Sequence, residues 1–192
     1  MAAIAISGGI GTGKSTLIHS LKKRGYTVVL TDQLAQECLN QPEIIAKVTS
    51  KYPQLLGLDQ KKLRSSLAEI VFTDTKELDF IEKLIHPCVQ QKITEIKRDF
   101  QGEFLFVEVP VLRAVTNYDF VVIVDSPQDV RIARLIDRGL DIADIQNRIA
   151  NQPQENDFLA IADLIFDGTI SNSKYEESVS NLISKIESSI NV

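Results

Sequence analysis

Gly8, Gly13, Lys14 and Ser15 stand in the opening stretch AAIAISGGIGTGKST on the spacing G-x-x-x-x-G-K-[ST]. Glycine lets a loop backbone turn successive N–H groups inward, and those groups together with a helix N-terminus make a cradle for an anion. In such a cradle Lys14 reaches the β- and γ-phosphates of a nucleoside triphosphate, and the Ser15 hydroxyl ligates Mg2+. The candidate ATP-binding residues are therefore Gly8, Gly9, Ile10, Gly11, Thr12, Gly13, Lys14, Ser15 and Thr16. A chance glycine loop is the competing reading. Against it stand the apolar run Ala2 to Ile6 before the loop and Leu17, Ile18 and Leu21 at helical spacing after it, which give strand, loop and helix in the order the chemistry needs.

Three further groups could act on a bound phosphate. Asp32 follows the apolar run YTVVL, where it can accept or orient the hydroxyl of an acceptor; TDQLAQ also reads as a helix start, with Asp32 as its N-cap. Glu108 closes the run FLFVE, where a second acid can hold a metal-bound water, or stand as a solvated carboxylate at a strand end. Arg131, Arg134 and Arg138 recur three and four apart on one helix face, with Arg148 beyond. Such a face is commonly just solvated. Beside a phosphate loop it is also how a small kinase builds a lid, whose arginines offset the charge spread over a transferring phosphoryl group. Arg138 is the candidate for that catalytic, ATP-side role.

The elements that must position these groups alternate. Strands are expected at Ala2–Ile6, Tyr26–Leu30, Phe104–Val109, Phe120–Asp125 and Ala162–Asp167, the middle runs being apolar throughout as in a parallel sheet covered on both faces. Helices are expected over 32–50, 63–71, 75–100 with an interruption at Pro87, 128–138 and 174–190, with a polar stretch over 141–158. The layout is α/β, a three-layer P-loop NTPase-type fold with a parallel central sheet, a helical substrate-binding region and a lid. It forms one domain, with core at 1–31 and 103–192, the lid near 138–158 and the helical region at 32–102. Ligands bind such sheets at the carboxyl ends of the strands, so Ser7–Lys14, Thr31, Asp32, Val109, Pro110 and Asp125–Pro127 are expected along one edge.

Composition narrows the class. The 192 residues are 44% apolar and 24% charged with net charge −5, and mean hydropathy is −0.01. That acidic balance argues against general binding to nucleic acid or an anionic membrane. Cys38 and Cys88 are expected to be free thiols in a reducing compartment, since they are far apart and form no C-x-x-C. With no charged leader and no apolar run near about 20 residues, the chain is expected to be cytoplasmic, as a monomer or weak homo-oligomer. A GTPase would need N-K-x-D, which is absent, and DFQG at 99–102 matches D-x-x-G only between a helix and a strand. A motor ATPase usually needs further domains or a partner's arginine.

Over nearly its whole length the chain resembles the dephospho-coenzyme A kinase family, through an ordered series of motifs. SGGIGTGKST is similar to the family's phosphate loop, and Asp32 to the second acid of its D-x-D element. DQKKLRSSL followed by VF resembles the segment that brings an arginine, here Arg64, to the substrate. IHP at 85–87 matches its His-Pro pair, VPVL at 109–112 its V-P-L-L, DVRIARLIDR with RIANQ its lid, and Ala162–Asp163 the element before its last strand. The resemblance implies an ATP- and Mg2+-dependent kinase acting on the ribose 3′-hydroxyl of dephospho-coenzyme A, with Asp32, Arg64, His86 and Pro110 on the substrate side. Taken alone, Arg64 also reads as a surface helix arginine and His86 as a structural histidine.

Several positions depart from the family pattern. Leu30 replaces the first acid of D-x-D, Gln60 a glycine, Ala114 an acid and Arg131 a glutamine, while Glu155 and Phe158 stand where basic lid residues are common and Gly168 where asparagine is expected. These leave two alternatives, a related nucleoside or nucleotide kinase and a catalytically weak ATP-binding regulator.

Overall fold

The computed structural model describes residues 1–73, 75–110, 117–170 and 172–190. The chain divides into two compact units, one of Met1–Leu30 with Phe100–Val192 and the other of Thr31–Asp99.

The first unit is built on a five-stranded sheet in the order β2-β3-β1-β4-β5, with β1 at Ala2–Ser7, β2 at Thr27–Leu30, β3 at Phe104–Glu108, β4 at Phe120–Asp125 and β5 at Leu164–Asp167. Every pairing is parallel. Alternation along the strands sends Ile4, Ile6, Phe104, Phe106, Phe120, Val122, Val124 and Phe166 to one face. There they bury Leu17, Ile18 and Leu21 of α1 (Lys14–Lys23) and Tyr175, Val179, Leu182, Ile183 and Ile186 of α9 (Asn172–Ile190). The opposite set, Ala3, Ala5, Leu105, Val107, Val121 and Ile123, is buried too, which is why these runs are apolar at both parities. Emptying a position such as Ile6, which has no exposed surface, would cost about 2–5 kcal/mol.

Two carboxylates finish the strand entries. Asp119 accepts a hydrogen bond from the Ala3 amide and Asp163 from the Val121 amide, each at 2.7 Å. Asp163, matched to the element before the last strand, is thus tied to the sheet backbone. At the other edge the register pairs Glu108 with both Ile6 and Leu30, Ser7 with Ile123, and Asp125 with Asp167. The carboxyl ends of the strands therefore finish together.

Helices α6 (Gln128–Asp137), α7 (Ile142–Ala150) and the short α8 (Glu155–Leu159) complete this unit between β4 and β5. The polar stretch expected over 141–158 is thus two helices, the first started by Asp141, whose carboxylate accepts from the Ala143 amide at 2.9 Å.

The second unit is helical: α2 (Thr31–Leu39), α3 (Pro42–Lys51), a 3-10 turn at Pro53–Leu55, α4 (Gln60–Thr73) and α5 (Thr75–Asp99). One helix expected over 32–50 is two, because Pro42 disfavours helix at Gln41, which is extended (φ −69°, ψ 135°), and itself sits in the first turn of α3. Helix α4 starts earlier than expected, where Asp59 accepts from the Lys62 amide at 2.9 Å. The interruption expected at Pro87 does not occur. Pro87 lies on the exposed side of α5, so water can satisfy the carbonyl that lacks its amide partner.

Helices α2 and α5 are also joined covalently. Cys38 and Cys88 form a disulfide with their Cα atoms 6.0 Å apart. This corrects the expectation of free thiols: separation in sequence says nothing about separation in space once both helices pack on each other.

Candidate active site

The glycine loop between β1 and α1 owes its shape to positions that other residues would not tolerate. Gly8 (φ 140°), Gly11 (φ 79°) and Gly13 (φ 105°) all have positive φ, and a Cβ on Gly8 would stand 2.2 Å from the Val124 carbonyl oxygen. Gly13 takes the left-handed conformation as N-cap of α1, and its carbonyl accepts from the Thr16 and Leu17 amides. The amides of Gly11, Thr12 and Gly13 meet no protein acceptor among the described residues. Unsatisfied donors at a helix N-terminus are the chemistry of an anion site.

Lys14, half-buried, folds back so that Nζ donates to the carbonyls of Gly8 (2.5 Å) and Gly9 (3.0 Å). Thr12 is buried, and its hydroxyl donates to the Gly9 carbonyl at 2.9 Å. Ser15 and Thr16 are exposed in the first turn of α1, with no side-chain hydrogen bond among the described residues.

A second layer of polar groups holds the loop from behind. The Arg131 Nε donates to the Ile10 carbonyl at 2.9 Å, and the Ile10 amide donates to Gln152 Oε1 at 2.9 Å, so both backbone groups of Ile10 are engaged by protein. Arg134 donates to the carbonyls of Gly11 (3.2 Å) and Gly168 (2.7 Å), and the Ser126 hydroxyl donates to the Thr12 carbonyl at 2.9 Å. Gly168 lies so close that a Cβ there would be 1.8 Å from the Thr12 carbonyl oxygen. No side chain fits, which is the physical reason glycine stands where the family pattern has asparagine. Phe158, also a departure, is buried and lines a cavity of about 20 Å³ with Gly8, Gly9, Val124 and Arg131.

The three arginines of one helix face therefore separate. Arg131 and Arg134 point into the loop, whereas Arg138 follows the last turn of α6, exposed and without a hydrogen bond or ion pair among the described residues. Arg148 pairs with Asp144 within α7 at 3.0 Å. Gln152, which grips the loop apex, was missed as a functional residue: a glutamine at the end of RIANQ has no spacing signal of its own.

Glu108 is half-buried at the carboxyl end of β3, and Pro110 is exposed just after it. In the helical unit, Asp32 is exposed in the first turn of α2. The helix already begins at Thr31, and no amide donates to the Asp32 side chain among the described residues, so the N-cap role has no hydrogen bond to support it. Arg64 of α4 donates from Nη1 to Gln36 Oε1 of α2 at 3.1 Å and from Nε to the Gln60 carbonyl at 3.2 Å. Gln36 lies one turn beyond Asp32, so Arg64 and Asp32 belong to one polar neighbourhood of this unit. His86 is exposed on α5, two residues before the disulfide. Ala114 lies outside the described residues, as do Val111 and Leu112 of the VPVL stretch and the side chain of Glu155.

Comparison with known proteins places this geometry. The dephospho-CoA kinase family model matches residues 2–174. The chain belongs to the dephospho-CoA kinase family. It is 34% identical over 186 residues to the dephospho-CoA kinase of Helicobacter pylori strain J99, covering 88% of this chain and 89% of that one. To the dephospho-CoA kinase of Thermobifida fusca it is 28% identical, with 97% and 94% covered. A crystal structure of a Thermus thermophilus protein superimposes with TM-score 0.81 at 25% identity, covering 98% of this chain and 97% of that one. The fold is shared more widely: a shikimate kinase from Acinetobacter baumannii matches with TM-score 0.56 at 12% identity, covering 98% of this chain and 94% of that one.

Within the dephospho-CoA kinase family frame, the departures of this chain fall in two groups. Arg131 donates to the phosphate loop, Gly168 lies too close to it for a Cβ, and Phe158 lines a cavity with its Gly8 and Gly9. Leu30 is the last residue of β2, paired in register with Glu108, so an apolar group stands where the family pattern has an acid. Gln60 supplies the carbonyl that accepts from Arg64.

Proposed function

We propose that this protein transfers the γ-phosphoryl group of ATP to the ribose 3′-hydroxyl of dephospho-CoA, giving CoA, in the cytoplasm and as a monomer or weak homo-oligomer. The observation that carries the reading is the loop of Gly8–Ser15, with three unpartnered amides at the start of α1 and Lys14 Nζ poised on its rim. The second unit then serves as the acceptor-binding region and residues 138–158 as the lid.

Each group has a role that its chemistry allows. Lys14 exchanges the Gly8 and Gly9 carbonyls for the β- and γ-phosphates, which carry full charge and attract the ammonium more strongly. The free hydroxyl of Ser15 fits Mg2+, a hard cation that prefers oxygen and needs few protein ligands when phosphates supply the rest. Mg2+ would supply charge neutralisation on the β- and γ-phosphates, with Ser15 as its protein ligand and Glu108, at the carboxyl end of β3, as the group that would hold a metal-bound water. Among the described residues no cluster of three or more His, Cys, Asp or Glu side chains is arranged to hold a metal without such a co-ligand.

Asp32 accepts or orients the acceptor hydroxyl, and its exposure without a partner leaves the carboxylate free to do so. Arg64 presents a guanidinium that can turn from Gln36 to a substrate phosphate as a two-pronged donor, with His86 and Pro110 as further acceptor contacts. Arg138, exposed just after α6, covers the transferring group when the lid closes. Arg131 and Arg134 hold the loop still, which keeps its amides aimed at charge as it develops.

The test is product formation with ATP, Mg2+ and a panel of acceptors: dephospho-CoA, nucleosides, nucleoside monophosphates and shikimate. CoA, identified by mass, is the expected product. Faster turnover of a nucleoside or its monophosphate would replace the proposed acceptor, and ATP binding without any product would favour a regulator. Arg138→Ala should lower turnover; an unchanged rate would make that arginine plain solvated surface.

A further inference from the structure

The disulfide lies in the unit to which acceptor binding is assigned, and the two sulfurs are not equivalent. Cys38 is wholly buried in the last turn of α2, whereas Cys88 of α5 is partly exposed. The bond is 50 residues long in sequence and joins the helix that carries Asp32 and Gln36 to the helix that carries His86, two residues before Cys88. A second tie runs beside it: Glu37, next to Cys38, pairs with Lys92, one turn past Cys88, at 2.8 Å. In reducing compartments disulfides are mostly transient, serving catalysis or redox sensing. A buried thiol next to a reachable one is the arrangement such a pair needs, because the reachable one meets the reagent and the buried one completes the exchange.

We propose that Cys88 and Cys38 form a reversible modification site for low-molecular-weight disulfides, with Cys88 as the entry thiol and Cys38 as the resolving thiol, and that its state sets acceptor affinity. The Cys88 thiolate attacks one sulfur of a disulfide RSSR, the S–S bond breaks, and one RS− leaves and takes a proton. The Cys38 thiolate then attacks Cys88 Sγ in the mixed disulfide, forming the internal bond and expelling the second RS−, which also takes a proton. Two protein thiols are oxidised to one disulfide, and RSSR is reduced to two RSH. The bond holds α2, which carries Asp32, on α5, which carries His86, so the oxidised protein has less ordering to do when the acceptor arrives. This second half rests on the assignment of Asp32, Arg64 and His86 to the acceptor.

The experiment uses the full-length protein, first reduced and then equilibrated with glutathione disulfide at graded ratios to glutathione, and read by intact mass under non-reducing conditions. Wild type should pass reversibly to the internal disulfide with loss of two hydrogens, Cys38→Ala should accumulate one glutathione adduct on Cys88, and Cys88→Ser should stay unmodified while folded. Equal labelling of Cys88→Ser and Cys38→Ala, or a wild-type disulfide that resists excess glutathione until the protein unfolds, would overturn the exchange site. Where Cys38→Ala does not fold, brief alkylation of reduced wild type gives the same order by peptide mapping, Cys88 first. In the kinetic arm, reduction should raise KM for dephospho-CoA by about three- to tenfold and leave KM for ATP alone, as expected for lost pre-organisation of one site only. Identical acceptor KM in both forms would overturn the effect on affinity. Absence of turnover in both forms would instead sink the kinase reading, while the masses still decide the exchange.

Discussion

The two units hold their functional groups by different means. In the sheet unit, loop atoms are fixed by backbone contacts: Gly8 against Val124, Gly168 against Thr12, and Arg131 and Arg134 on loop carbonyls, all above a core of buried apolar side chains. In the helical unit, the ties are between side chains, as in Arg64 with Gln36, Glu37 with Lys92, Glu77 with Lys51 and Tyr52, and the Cys38–Cys88 bond. The hydrogen bond from Lys51, with that from Tyr52, holds the Glu77 carboxyl below its ordinary range. A site that must cradle the same triphosphate at every turnover gains from rigid backbone donors. A site that must admit and release an acceptor gains from polar contacts that exchange with it. With the second unit taken as the proposed acceptor region, the difference predicts that substitutions in the first unit act through charge and steric fit at the loop, and that those in the second, the proposed catalytic Asp32 apart, act mainly through acceptor KM.

Lys14→Ala should have the largest effect, abolishing transfer while leaving the far-ultraviolet circular dichroism unchanged, because the ammonium donates to loop carbonyls and acts on phosphate charge. Loss of the folded signal along with activity would instead give Lys14 a structural part. Asp32→Asn keeps shape and removes charge, and should cut turnover by about two to four powers of ten, as loss of a general base does, with ATP affinity unchanged. Asparagine caps helices as well as aspartate does, so a full rate would return Asp32 to a local helix role and move the catalytic carboxylate elsewhere.

Gly168→Ala puts a methyl group where 1.8 Å is available to the Thr12 carbonyl oxygen, and overpacking of this kind costs about 1–3 kcal/mol. Thermal unfolding should move down and KM for ATP up; a variant with wild-type stability and ATP affinity would show that the loop is not held from this side. Arg64→Ala should raise KM for dephospho-CoA more than KM for ATP, and the reverse pattern would place Arg64 on the nucleotide. The smallest effect is expected at Glu176, whose carboxyl is held below its ordinary value of 4.5 first by the hydrogen bond from Arg24. Its contribution is complete above the unfolded value and is lost as pH falls through the lower folded one, so Glu176→Gln should flatten stability only in that acid window. Both groups are surface-exposed and salt weakens the pair. A variant that differs from wild type equally at neutral and acid pH would contradict the charge origin.

Legibility followed the range of the forces involved. Glycine, lysine and serine spacing named the phosphate loop because its function depends on local backbone freedom over a few residues, and apolar runs named the strands because a doubly covered sheet leaves no polar parity. The ordered motifs carried the family. Pro87 misled because a helix accommodates a proline more readily where the carbonyl it orphans can reach water, which depends on which side of α5 is exposed. Pro42 was passed over for the opposite reason: it starts a helix as readily as it ends one.

By itself the sequence determined the parallel α/β plan and the phosphate loop, and it named Lys14 and Asp32 as catalytic candidates and Ser15 as a Mg2+ ligand, all of which depend on neighbours within a turn or a strand. Tertiary structure alone decided the rest. It sorted Arg131 and Arg134, which grip the loop, from Arg138, which is free of protein partners among the described residues; it set Gln152 on the Ile10 amide, 142 residues away in the chain, and joined Cys38 to Cys88. The physical reason is that hydrogen bonds, close approach and disulfides act over a few ångströms of space, and spacing along a chain fixes such distances only within one element.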